Sequence, residues 1–186
     1  MTAKLAPAEV SRLLRGLRQR RTFTDEPIAD DVLQDILEVA RWTGSAKNSQ
    51  PWHLVVVRDK AVLEQLSTSG QFAGFLKGVD VAIVIALHGY ARVAEVYDEG
   101  RLSERIMLIA DAYGLGSGTG WFGDEAGQAT VKALLNIPEE WFVHSAVGLG
   151  HVPEGHVERP GVALGRHPLD EIVSYERVSD SATTTD

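Results

Sequence analysis

The residues best suited to chemistry in this chain lie in one short loop, between a helix that ends near Ala40 and a strand that begins near His53. Small residues and amides follow one another in this loop, in the order Gly44, Ser45, Ala46, Lys47, Asn48, Ser49 and Gln50. Backbone N–H groups, hydroxyls and amides at this density can hold the edge of a planar, hydrogen-bonding ligand. The alternative is an ordinary connector, in which Pro51 ends the helix and Trp52 fills the core.

A second candidate is a basic cluster near the N-terminus, which has five arginines within ten positions of a chain whose net charge is −8. The five are Arg12, Arg15, Arg18, Arg20 and Arg21. Guanidinium groups match the geometry of phosphate oxygens, so the cluster predicts an anion site. The alternative is a solvated basic face with surface salt bridges.

A third candidate is the glycine-rich segment GLGSGTGWFG, which covers residues 114–123. Its second half, from Gly118 to Gly123, has the spacing G-x-G-x-x-G. A dinucleotide-binding motif of that kind follows a strand, whereas a predicted helix precedes this one. We therefore expect a loop of five glycines whose backbone can approach a ligand closely. The alternative is a flexible linker between helices.

Other chemistries have little support in the sequence. The chain has no cysteine, which excludes disulfides, thiolate metal ligands and cysteine nucleophiles. The motifs H-E-x-x-H, G-x-S-x-G and the P-loop are absent, and His144, His151 and His156 form a loose group without paired acidic ligands. The negative net charge argues against a general nucleic-acid binder. Anion-binding and amide-rich segments without a protein nucleophile suit an enzyme whose cofactor carries the chemistry.

The elements that must position these residues are a series of helices and strands. Apolar periodicity predicts helices over about residues 7–19, 31–41, 61–66, 93–113, 125–136 and 169–175. Runs of β-branched residues predict strands over about residues 53–58, 79–87 and 143–152, the second of them buried on both faces. In the first helix an apolar stripe places Leu17 in the core; it consists of Val10, Leu13, Leu14 and Leu17.

Length and composition predict one globular domain over residues 1–178, followed by a polar tail over residues 179–186. No segment has the length of an apolar membrane span or the pattern of a signal peptide. We therefore expect a soluble, cytoplasmic protein, and one without a metal site.

Five segments resemble, in order, the pattern of the nitroreductase family of flavin-dependent oxidoreductases. ARWTGSAKNSQPWHLVVV is similar to the family's helix–loop–strand signature, which runs to N-x-Q-P-W. RQRRTFTDEPI is similar to its N-terminal arginine-rich segment, and IMLIADAYGLGSG to its interface helix and the glycine turn that follows. LLNIPEEW and RHPLDEIVSYERV are similar to the segment before its late strand and to its C-terminal segment. The matches cover most of the chain.

The resemblance implies an α+β fold, namely a nitroreductase-like α/β sandwich with a central, mostly antiparallel sheet flanked by helices. It implies an intertwined homodimer with FMN in a cleft between the two subunits. As a function it implies an FMN-dependent oxidoreductase, which passes electrons from NADH or NADPH to nitroaromatic, quinone or similar planar acceptors by a ping-pong hydride mechanism.

The resemblance also gives expected roles to residues around FMN. Arg18 and Arg166 would bind the phosphate, and Arg21 would stabilise the anionic reduced flavin near its pyrimidine end. Lys77 is a looser match beside the ring. The other contacts would come from the loop, through Gly44, Ser45, Ala46 and Asn48, and from the glycine-rich segment, through Gly118, Thr119, Gly120 and Trp121. Because FMN would carry the chemistry, no protein residue is expected to be catalytic.

Some positions depart from the family pattern. Arginine is common in the family where Leu17 stands, serine where Gln19 stands, and proline where Gly44 stands. A second alignment places the family's Arg-Arg-Ser motif on residues 20–22. It restores a hydroxyl at the serine position, through Thr22, but leaves two residues too few before Phe23. That alignment makes Arg20 a further candidate for contact with FMN.

Other functions stay open from the sequence. A specialised member of the family would fragment flavin, dehalogenate a substrate or dehydrogenate a natural product. A non-catalytic flavin-binding protein would be yellow yet would not oxidise NAD(P)H. A basic nucleic-acid or partner-binding module would contain no flavin and would bind DNA with a steep salt dependence. The visible spectrum of the purified protein separates these possibilities.

Overall fold

Helices and strands are distributed along residues 6–156 and 165–178, which are the part of the chain that the computed structural model describes. The strands are β1 (Trp52–Val57), β2 (Val81–Leu87), β3 (Gly116–Trp121) and β4 (Phe142–Gly150). The helices are α1 (Pro7–Gly16), α2 (Asp30–Arg41), α3 (Lys60–Thr68), α4 (Arg92–Ala112), α5 (Glu125–Leu135) and α6 (Leu169–Ile172). Short 3-10 turns lie at Ala46–Asn48 and Gly74–Gly78.

The sheet has the strand order β1–β2–β4–β3, and each neighbouring pair is antiparallel. Every residue of β2 is buried, as its apolar run predicts for a strand covered on both faces. The predicted α+β class with a mostly antiparallel central sheet is therefore confirmed.

The core consists of two apolar layers, one on each face of the sheet. Residues of β2 alternate between them: Ile83 and Ile85 belong to one layer, and Ala82 and Val84 to the other. Side chains of α2 and α4 complete the first layer, and side chains of α3 and α5 complete the second. Period-2 alternation in a central strand thus produces the predicted sandwich.

The N-terminal helix begins where its proline predicts, but it ends at Gly16 rather than near Gln19. None of its residues is buried within the protomer, and Leu14 keeps 52% of its surface exposed. Leu17, just beyond the helix, is half-buried and packs against the first core layer. The predicted apolar stripe therefore meets the core only at its last residue.

The glycine-rich segment is a strand, so the prediction of a loop there was wrong. Its glycines alternate along β3 on one face, where neighbours approach too closely for a side chain. A Cβ atom at Gly116 would lie 2.3 Å from Cγ2 of Val152, and one at Gly118 would lie 2.3 Å from the carbonyl oxygen of Arg20. The glycines therefore permit close packing rather than flexibility.

By compactness the chain divides into two units, Met1–His156 and Val157–Asp186. The first contains the whole sheet, and α6 belongs to the second. The single domain over residues 1–178 stays a prediction, and the polar tail over residues 179–186 lies outside the described residues. Among the described helices, none combines the length and the apolar character needed to cross a membrane.

Candidate functional site

The loop that follows α2 is anchored at the end of that helix by a polar cluster on Glu38. Its carboxylate accepts hydrogen bonds from the Arg41 guanidinium and from Nε1 of Trp42, 2.9 Å away. These two donors, with the charge of Arg41, lower the pKa of Glu38 to about 2. The Arg105 guanidinium in α4 donates to the carbonyl of Trp42 at 3.0 Å. The start of the loop is therefore held from two helices.

The loop itself stores backbone strain. Lys47, Asn48 and Gln50 have φ values of 53°, 56° and 48°, which is the left-handed region that non-glycine residues rarely enter. Each such residue costs on the order of 1–3 kcal/mol, and residues of this kind are concentrated at functional sites. Oγ of Ser45 accepts the N–H of Gln50 at 2.8 Å and so closes the loop.

The buried carboxylate of Asp98, in α4, holds the middle of the loop. It accepts the N–H of Ala46 at 3.0 Å and a guanidinium N–H of Arg101, also at 3.0 Å. Arg101 lies against Gly44, because a Cβ atom there would be only 2.7 Å from its Nη2. A side chain at position 44 would therefore displace the arginine that accompanies Asp98.

A cleft of about 860 Å³ opens beside this part of the loop. Ser45 and Ala46 line one side, and the first turns of α4, including Val93 and Tyr97, line the other. Val93 is 88% exposed and Tyr97 is 72% exposed. Next to the loop, Oγ1 of Thr43 is buried and has no hydrogen-bond partner among the described residues.

The arginine-rich segment after α1 runs along the free edge of β3. The N–H of Arg20 donates to the carbonyl of Ser117 at 2.7 Å, and Gln19 forms a parallel bridge with the same residue. Oε1 of Gln19 accepts the N–H of Thr119 at 2.7 Å. The side chain of Gln19 thus extends the ladder that its backbone begins, and it fixes residues 18–21, the basic arm, against the glycine strand.

Strand alternation decides which backbone groups of β3 can reach a ligand. The N–H of Phe122 donates to the carbonyl of His144 in β4. Because N–H directions alternate along a strand, the other even-numbered residues, Gly118 and Gly120 among them, also direct their N–H groups to β4. The odd-numbered residues direct theirs to the free edge. Thr119 uses its N–H with Gln19, and Trp121 is the next position at this edge. Gly118 and Gly120 could therefore contribute only by lacking side chains.

The predicted cations lie in different situations. Arg18 folds back on the end of α1, donating to the carbonyls of Arg15 and Leu17 at 2.8 Å each. Arg21 places its guanidinium 5.8 Å from the ring centre of Phe75. Phe75 lies in the 3-10 turn Gly74–Gly78, which also contains the exposed Lys77. Arg166 is exposed and belongs to the second unit.

A second cleft, of about 360 Å³, lies between α4 and the β3 edge. Its walls include predicted residues, Thr119 and Trp121, and residues that the sequence did not single out as ligands, Gln19, Glu99 and Met107. The spacing of acids in α4 contains a signal for Glu99, because residues 95, 98 and 99 share a helical face with the buried Leu102. Acidic residues on the same face as a buried leucine are expected to be buried themselves, and all three are.

Within the protomer the predicted residues form two groups, on two faces of α4. The first is the strained loop with Gly44, Ser45, Ala46 and Asn48, which rests on Asp98. The second is the basic arm and the β3 edge, beside the cleft that Glu99 lines. Within the described ranges no cluster of three or more His, Asp or Glu could hold a metal ion. The described residues of the two groups thus offer guanidinium groups and hydrogen-bond donors, which are the partners that an anion requires.

Comparison with known proteins places the chain in one family. Residues 14–70 match the model of the Nitroreductase family. A protein of Archaeoglobus fulgidus with the provisional name NADH dehydrogenase/NAD(P)H nitroreductase is 35% identical over 150 residues, covering 77% of this chain and 85% of the relative. A protein of the same name from Methanothermobacter thermautotrophicus is 27% identical over 155 residues, covering 81% of each chain.

A solved structure gives the same fold. The FMN-dependent nitroreductase of Clostridium difficile R20291 superposes with a TM-score of 0.78 at 24% identity, covering 89% of this chain and 98% of that chain.

Proposed function

The chain belongs to the nitroreductase family, and from this premise we propose that it is an FMN-dependent oxidoreductase. It takes electrons from NADH or NADPH and passes them to nitroaromatic, quinone or similar planar acceptors. The observation that carries the proposal is the basic arm, fixed along the glycine strand beside the cleft that Thr119 and Trp121 line. The names of the archaeal relatives, NAD(P)H nitroreductase, point to the same reaction class.

The described residues fit FMN by charge and by hydrogen bonding. The basic arm supplies guanidinium groups that match a phosphate, and the free edge of β3 presents the N–H of Trp121. The strained loop presents Asn48, whose side-chain amide has no partner among the described residues, and Ser45, whose hydroxyl hydrogen is free to donate. Bound FMN would supply the hydride chemistry that no protein side chain here can perform.

The chain's own residues would bind and orient. Arg18 would have to leave the carbonyls of α1 to reach a phosphate, whereas the backbone of Arg20 already lies at the strand edge. Arg21 would place positive charge near a reduced, anionic ring. Arg166 stays a predicted phosphate ligand from the second unit, and Lys77 a predicted neighbour of the ring.

We also propose that the protein is a homodimer with FMN at the subunit interface. The exposed apolar side chains of α1 and α4 support this, since Leu14, Val93 and Tyr97 are 52%, 88% and 72% exposed. Patches of this kind are unusual on monomers and mark interaction surfaces. The loop and the arm, which lie on two faces of α4 in one protomer, would then meet across the interface. A cytoplasmic location also stays a proposal.

The visible spectrum of the purified protein tests the function. We expect flavin absorption that bleaches anaerobically with NADH or NADPH and returns when a quinone is added. A protein without flavin bands, even after incubation with FMN, would contradict the proposal. Flavin that neither nucleotide reduces would indicate a flavin-binding protein without turnover.

A matched pair of variants tests the phosphate contact. Arg18→Ala should weaken FMN binding by about tenfold to a hundredfold, because charged hydrogen bonds contribute about 1.5–3 kcal/mol. Arg12→Ala removes an exposed arginine on α1 and should leave the affinity within about twofold of the wild type. Equal losses in the two variants would mean that the arm attracts FMN only through its overall charge.

A further inference from the structure

A β-bulge in β4 turns the neighbouring side chains of His144 and Ser145 toward α4. Ile85 of β2 pairs with Ser145, but Leu87 pairs with Phe142, so Val143 and His144 together stand opposite a single residue of β2. In a regular strand, neighbouring side chains point to opposite faces. The bulge removes this alternation, because the extra residue re-aims the chain.

The two re-aimed side chains meet one buried carboxylate. Glu99 of α4 is 4% exposed; it accepts a hydrogen bond from Oγ of Ser145 at 2.5 Å and lies 3.2 Å from Nδ1 of His144. A carboxylate accepts hydrogen bonds, so the hydrogen between the two residues is donated by Nδ1 of His144. Glu99 therefore fixes the plane of the imidazole.

The imidazole in turn supports Trp121. The two rings are stacked, with centroids 5.4 Å apart and planes inclined by 11°. The residues beside Trp121 offer little lateral support, because Gly120 precedes it and Gly123 approaches its ring only as backbone. The indole is 41% exposed and lines the cleft of about 360 Å³ beside the basic arm. Its orientation decides how wide that cleft is.

We propose that Glu99 and His144 are positioning residues that hold Trp121 as the wall limiting the size of the electron acceptor. The inference rests on the proposed function, since the cleft is taken to admit the acceptor. The bulge explains how this pair reaches the wall from a strand.

The experiment compares a small and a large quinone on the FMN-loaded dimer. The readout is kcat/KM for anthraquinone-2-sulfonate divided by kcat/KM for 1,4-benzoquinone, the selectivity ratio. Trp121→Ala should raise this ratio by about tenfold or more, since even a single methylene group in an apolar pocket discriminates by about 10–200-fold. His144→Asn keeps an N–H near the Nδ1 position for Glu99 but removes the stacked ring, and it should raise the ratio in the same direction.

A double-mutant cycle separates positioning from a general structural role. If His144 acts through Trp121, adding His144→Asn to Trp121→Ala should leave the selectivity ratio within about twofold. Equal effects of His144→Asn in both backgrounds would overturn the proposal. The control is His53→Ala, which removes an exposed histidine of β1 that packs on Trp141, and it should leave the ratio unchanged.

A second measurement uses the FMN-free protein and needs no turnover. The fluorescence of Trp121 is obtained as the difference between the protein and its Trp121→Phe variant. In the His144→Asn background this contribution should be quenched more strongly by acrylamide and should depolarise faster. An unchanged Trp121 signal would overturn the proposal even for a variant that binds FMN poorly. A wild-type protein that never binds FMN would contradict the proposed function itself. That result is distinct from an unchanged Trp121 signal, which contradicts only the positioning role of His144.

Discussion

Replacing Gly118 by alanine should detach the basic arm from β3. The new Cβ would lie 2.3 Å from the carbonyl oxygen of Arg20, whereas ordinary contacts begin near 3.4 Å. The obstacle is backbone and cannot rotate away, so the arm must move by roughly 1 Å. The bonds from Arg20 to Ser117 and from Thr119 to Gln19, both 2.7 Å long, would then exceed hydrogen-bond length.

The expected loss follows from these contacts. Two hydrogen bonds at about 1 kcal/mol each, together with crowding of about 1–2 kcal/mol, lower the free energy of unfolding by about 3–4 kcal/mol. Urea unfolding of FMN-free protein at a fixed protein concentration measures this difference. The control is Gly74→Ala, because a Cβ there meets nothing within 4 Å.

FMN titration provides the functional half of this experiment. Because the arm carries Arg18, which is expected to bind the phosphate, Gly118→Ala should weaken FMN binding by about tenfold or more. If Gly118→Ala and Gly74→Ala unfolded with the same free energy, the close approach of the arm to β3 would be refuted. A destabilised variant with unchanged FMN affinity would instead separate the arm from the cofactor.

Three further substitutions test the loop and its anchors. Thr43→Val removes a buried hydroxyl without a partner among the described residues, so stability to urea should stay equal or rise by about 1 kcal/mol; a loss would mean that the assembled protein bonds this hydroxyl. Arg41→Ala should raise the pKa of Glu38 from about 2 toward 4.5, as followed by carboxyl NMR. Because the folded-state pKa is the lower one, this group stabilises the protein above pH 4.5 and the effect is lost as the pH falls toward 2, so Arg41→Ala should flatten the acid limb of the stability curve. Asp98→Asn should lower stability by about 1.5–3 kcal/mol and speed amide exchange at Ala46; normal exchange there would contradict the anchoring role.

The sequence predicted the central elements because their signals are local. An apolar, β-branched run such as Val81–Leu87 is typical of a central strand whose two faces are both covered by other elements. Every residue of this strand is buried. The helix Arg92–Ala112 was expected within one residue at each end. Its 21 residues form one helix because its second half packs in the first core layer and no proline interrupts the hydrogen-bond ladder.

The glycine strand could not be predicted from local propensity. Glycine is depleted in strands, and five glycines in ten residues favour a loop. The structure requires them because Arg20 and Val152, which are distant in sequence, press on one face of β3. The basic arm and β3 are about 100 residues apart in the sequence. A contact between such distant segments leaves no periodic pattern in the sequence except the alternation of glycine in β3. That alternation, at residues 116, 118 and 120, was the available clue.

The site residues that the sequence missed share a different cause. Glu99 looks like a surface residue of a charged helix, and His144 looks like one more residue of a strand. They become neighbours because a bulge, which has no sequence signature here, aims His144 toward α4. Gln19 was noticed only as a departure from the family's serine, yet its side chain completes the ladder at Thr119. Long-range register, rather than residue type, created these contacts.

The strain in the loop bears on how the site is completed. Three left-handed residues in the span 47–50 oppose folding by several kcal/mol in total, on the order of 1–3 kcal/mol each. Within the protomer they are offset by few contacts, chiefly the bonds to Ser45 and to Asp98. A conformation so costly persists where further contacts stabilise it, and the exposed Asn48 and the open cleft beside Tyr97 face away from the protomer's core. In the proposed FMN-loaded dimer those contacts would come from FMN and the second subunit.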